Sequence, residues 1–314
     1  MLFLLHSLYY FLTMKRLWYA LLFSGLVLPR VQAQQTLDVQ AHRGGMGLVP
    51  ENTVTSMIHA VRLGCRTLEL DCVISADQKV VVSHDPYMSS VFMRKPDGND
   101  ITKEEEKSYA LYQMKYDSIR TFDAGSKPHP NFPQQKKMKT YKPLLSEVID
   151  SVETYVRKHH LKPVAYNIET KCSPQGDGKY NPSPDVFVQL LMQVIQKKGI
   201  ANRVTIQSFD VRTLQELHKK YPKQSLSLLL YNKDSVADNL AKLGFTPQYY
   251  SPHYTLVTSE TVKEVHEKKM RMLPWTVDEE KDMQRMASYG VDGIISNYPE
   301  RLIGLYGSYQ KKQD

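Results

Sequence analysis

Two tripeptides carry the first chemical signal in this chain, the diacidic Glu69-Leu70-Asp71 and the acid-base pair in Glu169-Thr170-Lys171. In an extended segment, side chains two apart share a face. Glu69 and Asp71 therefore point one way while Leu68 and Leu70 point the other, and Glu169 shares its face with Lys171. His42-Arg43-Gly44 follows one short β-rich run, and His84-Asp85 follows Val80-Val81-Val82. Gln207-Ser208-Phe209 and Trp275-Thr276 end two more. Three carboxylates are hard oxygen donors of the kind that suits Ca²⁺ or Mg²⁺; a softer transition metal would draw more His or Cys. Arg43 and Lys171 bring the positive charge a phosphate group needs. Histidines can give and take protons near neutral pH. Singly, each of these residues is ordinarily a salt-bridged or core group, and His129, His159 and His160, in polar and basic segments, are assigned nothing. The set becomes chemistry only if one scaffold brings these strand ends together.

The pattern of the chain supplies such a scaffold. β-rich runs recur near residues 38–41, 66–72, 163–169, 203–207, 225–230, 248–251, 271–276 and 292–296. Amphipathic helical segments lie between most of them. Leu144, Leu145, Val148, Ile149, Val152 and Val156 follow helical spacing, as do Val186, Leu190, Leu191, Val194 and Ile195. Asn52, Thr258 and Asp278 read as helix N-caps. Eight β-then-α units predict an α/β fold, a closed (β/α)8 TIM-type barrel of parallel strands. An open doubly wound sheet is the structural alternative, but Gly44-Gly45-Met46-Gly47 lacks the spacing and acidic partner of a dinucleotide loop. A barrel places its chemistry at the C-terminal ends of its strands and in the loops that follow. That is where His42, Glu69, Asp71, His84 and Glu169 fall.

Residues 86–142 interrupt the alternation as a small insertion after the second β unit. It is rich in proline, and its pattern predicts a short helix over 102–114. A segment this long is usually functional or a small subdomain. It contains 11 Lys and Arg against 7 Asp and Glu. It can therefore steer an anionic substrate or act as a structural flap, two readings of equal weight.

The chain has 314 residues, 41% of them hydrophobic and 24% charged, with a net charge of +8. Part of that charge belongs to a secretory signal pattern over residues 1–33. From Met14, the expected translation start, Lys15 and Arg16 are followed by an apolar run and then Val31-Gln32-Ala33. Export to the periplasm or the extracellular space is expected, with cleavage near Ala33 and no stable membrane insertion afterwards. Residues 34–314 then form the barrel domain. No aromatic-basic interleaving suggests nucleic acid. Cys65, Cys72 and Cys172 have neither metal-ligand spacing nor a disulfide framework. Oligomeric state is left open.

Ala41-His42-Arg43-Gly44 followed by Pro50-Glu51-Asn52-Thr53 resembles the opening motif of the glycerophosphodiester phosphodiesterases. The likeness continues in order through Glu69-Leu70-Asp71, His84-Asp85, the 122–126 segment of the insertion, Glu169-Thr170-Lys171, Gln207-Ser208-Phe209, Trp275-Thr276-Val277-Asp278 and the 292–299 block. The resemblance implies a barrel enzyme that hydrolyses glycerophosphodiesters to sn-glycerol 3-phosphate and an alcohol. It implies His42 and His84 as general acid and base, and Glu69, Asp71 and Glu169 as ligands of one divalent cation. Arg43, Lys171, Trp275, Gln207 and Phe209 become substrate contacts. Which histidine is the acid stays open, as does the nucleophile: water, or the glycerol's own hydroxyl through a cyclic phosphate. Rival readings are a phosphatidylinositol phospholipase C-like or sphingomyelinase D-like enzyme on the same barrel, and an exported binding protein that lacks catalysis.

Overall fold

The short apolar runs form strands because each is buried on both faces, by the barrel interior and by a surrounding helix layer. A computed structural model describes residues 37–310; the signal-like segment and the start at Met14 lie outside the described residues. Strand β1 (Asp38–Ala41) leads to helix α1 (Val54–Leu63), β2 (Thr67–Ile74) and β3 (Val80–Val82). After the insertion, with its one-turn helix α2 (Tyr116–Ile119), come α3 (Leu145–Lys158), β4 (Ala165–Thr170), α4 (Pro184–Lys197), β5 (Val204–Ser208) and α5 (Val211–Lys220). The chain continues through β6 (Ser225–Leu230), α6 (Val236–Leu243), β7 (Tyr249–Pro252) and α7 (Ser259–Glu267). It ends with β8 (Arg271–Met272), α8 (Glu280–Ser288), β9 (Gly293–Ser296) and α9 (Pro299–Tyr306).

Eight parallel strands run in the order β8-β7-β6-β5-β4-β2-β1-β9, with β3 antiparallel to β2 and off the ring. The ring closes through backbone bonds from Asp292 N to Met272 O (3.0 Å), Ile295 N to Pro274 O (3.1 Å) and Val277 N to Ile295 O (3.0 Å). The fold is thus the expected (β/α)8 barrel. Strand β8 is shorter than the run at 271–276, because Pro274 brings no N–H to a ladder. Helix α3 buries Leu145, Val148, Ile149, Val152 and Val156 as its spacing predicts. Helix α4 is turned by about one position from expectation. It buries Phe187, Val188, Leu191, Met192 and Ile195, leaving Val186, Leu190 and Val194 at the flank. Thr258 caps α7 by accepting from Thr261 N. All three cysteines are buried and free.

The insertion builds its own small core from Met88, Phe92, Met93, Leu111, Ile119 and Phe122 against Val73 and Val81. The helix expected over 102–114 does not form; two 3-10 turns, Glu106–Ser108 and Leu111–Gln113, stand in its place. Backbone pairing pulls the segment out of helical geometry: Met88 N donates to Tyr109 O (3.2 Å) and Leu111 N to Pro86 O (2.9 Å). Glu106 is buried and accepts from Ser90 Oγ (2.6 Å).

Candidate active site

The turn after β1 is tight. His42–Gly44 is a single 3-10 turn with Arg43 at φ +50° and Gly44 at φ +84°. A Cβ at Gly44 would overlap Ser56, so only glycine fits. The turn aims His42 across the barrel mouth to the end of β9. There His42 Nδ1 meets Asn297 Oδ1 at 2.6 Å. Asn297 Nδ2 donates to Asp278 Oδ2 (2.7 Å), and Asn297 N donates to Asp278 Oδ1 (2.9 Å). A carboxylate only accepts, so it fixes the amide with Oδ1 toward His42. His42 therefore donates from Nδ1, leaving Nε2 with a free lone pair. Burial, reinforced by the charge of Arg43, pushes the His42 pKa down to about 3. Asp278 is thus not an N-cap; the α8 N-cap is Glu279, which makes no side-chain cap bond.

His84 is tethered differently. Its Nδ1 lies 2.9 Å from Asp85 Oδ1. Burial opposes the charge on Asp85, but the bond to His84 outweighs it and holds the carboxyl below its usual range. The turn is braced from the far end of the insertion. Lys142, buried, donates from Nζ to Ser83 Oγ (2.7 Å), and Ser83 Oγ donates to Asp85 O (2.6 Å). Lys142 also lies 5.7 Å from the Phe92 ring centroid.

Beneath the two histidines, Glu69, Asp71 and Glu169 are buried, each with a carboxylate oxygen within 4.8 Å of the others. Period-two alternation in β2 turns Glu69 and Asp71 inward while Leu68, Leu70 and Cys72 join the outer core. Gln207 Nε2 donates to Glu69 Oε1 (2.8 Å), and Arg43 N to Glu69 Oε2 (2.8 Å). Asn52 Nδ2 donates to Asp71 Oδ2 (2.9 Å), and Lys171 Nζ to Glu169 Oε1 (2.8 Å). Asp71 Oδ1 is buried with no hydrogen-bond partner; Lys171 Nζ is 3.9 Å away. Burial and the charge of Asp71 raise Glu69, whereas His84, Lys171 and Arg43 overcome burial and lower Asp71. Three hard carboxylates, one of them with an orphaned buried oxygen, fit a divalent cation. Asn52, like Asp278, is no cap: Thr53 caps α1. Asn52 takes φ +56° and clamps Asp71 instead.

His42, Arg43, Glu69, His84, Glu169, Lys171, Gln207, Phe209 and Trp275 all line one cavity of about 100 Å³. Arg43 is held by Glu51, with Nη1 3.1 Å from Oε2, and its Nε is 3.4 Å from Asp71 Oδ2. The Gln207 amide is engaged by Glu69 and by Asn167 Nδ2 (3.0 Å), and Trp275 Nε1 donates to Ser251 O (2.8 Å). Both residues therefore present a wall to the cavity while their donors face protein. Glu51, Asn52, Asp85, Lys142, Asp278 and Asn297 join the site in the structure, although the sequence alone points to no role for them there. Several fall in the quoted motif blocks, which was the available signal; Lys142 had none.

The family model described as "Glycerophosphoryl diester phosphodiesterase family" matches residues 42–301. A glycerophosphodiester phosphodiesterase of Caldanaerobacter subterraneus subsp. tengcongensis is 31% identical over 267 residues, covering 85% of this chain and 96% of the relative. One from Bacillus subtilis is 28% identical over 275 residues, 83% of each chain. Among solved structures, one from Silicibacter pomeroyi, described as a glycerophosphoryl diester phosphodiesterase, superposes with a TM-score of 0.78 at 28% identity, covering 88% of this chain and 96% of that one.

Proposed function

Since the chain belongs to the glycerophosphoryl diester phosphodiesterase family, we propose that it hydrolyses glycerophosphodiesters to sn-glycerol 3-phosphate and an alcohol, with His42 and His84 moving the protons. The observation that carries this reading is the opposite tethering of the two rings over one carboxylate cluster: an amide oxygen at His42 Nδ1, a carboxylate at His84 Nδ1. His42 is neutral with Nε2 free, so it takes the proton from the attacking group, either water or the glycerol's own hydroxyl with water then opening the cyclic phosphate. Asp85 Oδ1 faces His84 Nδ1 and orients the ring so that its Nε2 gives a proton to the departing alkoxide. Arg43 and Lys171, both beside the cavity, hold the phosphate oxygens and oppose the charge that builds there. Phe209 and Trp275 wall the substrate, and Gln207 aims Glu69. Glu69, Asp71 and Glu169 would hold one Ca²⁺ or Mg²⁺, which when bound supplies further positive charge to the phosphoryl oxygens. The signal pattern at residues 1–33 supports export.

The test is a coupled assay for sn-glycerol 3-phosphate on a panel of glycerophosphodiesters, run with Ca²⁺, with Mg²⁺ and with chelator. Release in metal and none in chelator supports the reading; equal release in excess chelator contradicts the metal assignment.

Two smaller effects follow. Asn297→Leu removes the acceptor that fixes the His42 tautomer. A hydrogen bond of this class to a group that becomes charged is worth about 1.5–3 kcal/mol, so kcat should fall roughly 10- to 150-fold with KM little changed. A fall confined to KM would exclude the tautomer role. Lys136, Lys137 and Lys139 are exposed on the insertion, whose Lys136 N donates to Leu48 O (2.8 Å) beside the β1 turn. If they steer the anionic substrate, changing all three to Gln lowers kcat/KM at low ionic strength and not at about 1 M salt, where the screening length is about 3 Å. An identical salt profile leaves the insertion a structural flap.

A further inference from the structure

The insertion ends beside the turn that carries His84. Its last residues return alongside β3: Leu144 pairs antiparallel with Val81, and Val82 N donates to Pro143 O (2.8 Å). Continuing that antiparallel pairing by two residues places Lys142 opposite Ser83. Lys142 is only 4% exposed, and Ser83 is buried. Ser83 has one hydroxyl proton and gives it to Asp85 O (2.6 Å), so its oxygen accepts from Lys142 Nζ (2.7 Å). From the same turn Asp85 Oδ1 meets His84 Nδ1 at 2.9 Å. One continuous line of contacts thus runs from an amino group of the insertion to the His84 ring.

A buried ammonium is costly. Methionine or leucine would fill the same space beside the Phe92 ring, whose centroid lies 5.7 Å from Nζ, without that cost. Burial works against the Lys142 charge, and Asp85 and Glu51 favour it. Burial also works against the Asp85 charge; the bond to His84 sustains it, and the charges of Lys142 and Arg43 add to that. The polar group is therefore kept where it meets the Ser83–Asp85 turn, although packing alone does not require it.

We propose that Lys142 is a positioning residue for the proton that leaves with the alcohol: through Ser83 it fixes the Ser83–Asp85 turn, and with it the Asp85 carboxylate that sets the His84 ring. The inference rests on the reading above, in which His84 is the acid. It gives the insertion a part in the reaction besides steering or covering. Lys142 touches neither substrate nor metal in this scheme. Its removal leaves the phosphate contacts and His42 in place and loosens only the ring that protonates the departing oxygen.

The experiment uses the full protein in saturating Ca²⁺ or Mg²⁺ and two substrates, glycerophosphocholine and a glycerophospho-nitrophenyl ester. The choline alkoxide needs a proton on departure, and the nitrophenolate does not. Lys142→Met should lower kcat on glycerophosphocholine by about 10- to 150-fold, the worth of a hydrogen bond to a charged group, with KM little changed. On the nitrophenyl ester it should lose little. Ser83→Ala deletes one buried hydroxyl and cuts the same link. It should show the same contrast, and it carries the test if Lys142→Met does not fold. Placed in His84→Ala, Lys142→Met should cause no further loss on either ester, because a residue acting through His84 has nothing left to position. Equal losses on the two esters in a folded variant would make Lys142 a general brace and overturn the inference. So would an unchanged kcat on glycerophosphocholine, or a further loss in the His84→Ala background. Failure of the nitrophenyl ester to rescue His84→Ala would remove His84 as the acid and take the inference with it, leaving the phosphodiesterase reading standing. Hydrolysis of neither ester by the unaltered protein would overturn both.

Discussion

Replacing His42 or His84 with alanine is expected to lower kcat on glycerophosphodiesters by about 10²–10⁴-fold, the range for a positioned acid or base. KM should change less, since the phosphate contacts remain. The double variant should lose little more than the worse single one, because both rings serve one displacement. A nitrophenyl leaving group needs no proton on departure. It should therefore restore most of the rate to His84→Ala and little to His42→Ala. Rescue in the opposite sense would exchange the two roles. Folding stability gives a separate check. The His42 pKa is about 3 in the folded state and about 6.5 unfolded. The folded state then binds fewer protons, so the residue costs nothing above about pH 6.5 and destabilises the fold as pH falls from there toward 3. Its share approaches about 1.4 kcal/mol per pH unit. Denaturant titrations of His42→Ala should show a shallower acid loss than wild type between those limits. Parallel curves would mean that His42 is not held neutral.

Removing the divalent cation is expected to have the larger effect on turnover. Chelation should reduce it to background, and Ca²⁺ or Mg²⁺ should restore it. Glu69→Gln removes one ligand charge from the buried set, at a residue whose Oε1 accepts from Gln207 and whose Oε2 accepts from the Arg43 N–H. The metal concentration for half-activation should rise by at least about tenfold, since even outer partners of a site are worth about 10–100-fold. The unfolding midpoint without metal should not fall, because a carboxylate crowded by Asp71 is relieved. Direct titration of metal into the protein measures the same affinity without relying on activity. Unchanged affinity in Glu69→Gln would remove Glu69 from the site.

The parts of this site that alternate along a strand were legible in the sequence. Glu69 and Asp71 show their shared face by period two alone, and β1 and β6 were read at their observed bounds. What was not legible are partners far apart in the chain. Asn297 lies 255 residues from His42, and Gln207 lies 138 from Glu69. Local pattern carries no sign of such pairs. Asn52 and Asp278 were misread because each precedes a helix and has a capping side chain, a sound local reading that a longer-range demand overrode. The helix expected over 102–114 failed for the same reason, its acids at the N-terminal end being outweighed by backbone pairing to 86–88. Tyr231 and His253 stand singly in loops, so only the barrel reveals that they face Trp275.

The measurement closest to the central claim is ³¹P NMR of the products formed from glycerophosphocholine and a glycerophospho-n-alkanol by the full protein in Ca²⁺ or Mg²⁺. The account predicts conversion of each diester resonance to the single monoester resonance of sn-glycerol 3-phosphate, with free alcohol released, and loss of that conversion in His42→Ala and His84→Ala. Phosphocholine with free glycerol, or conversion that survives both substitutions, would contradict it.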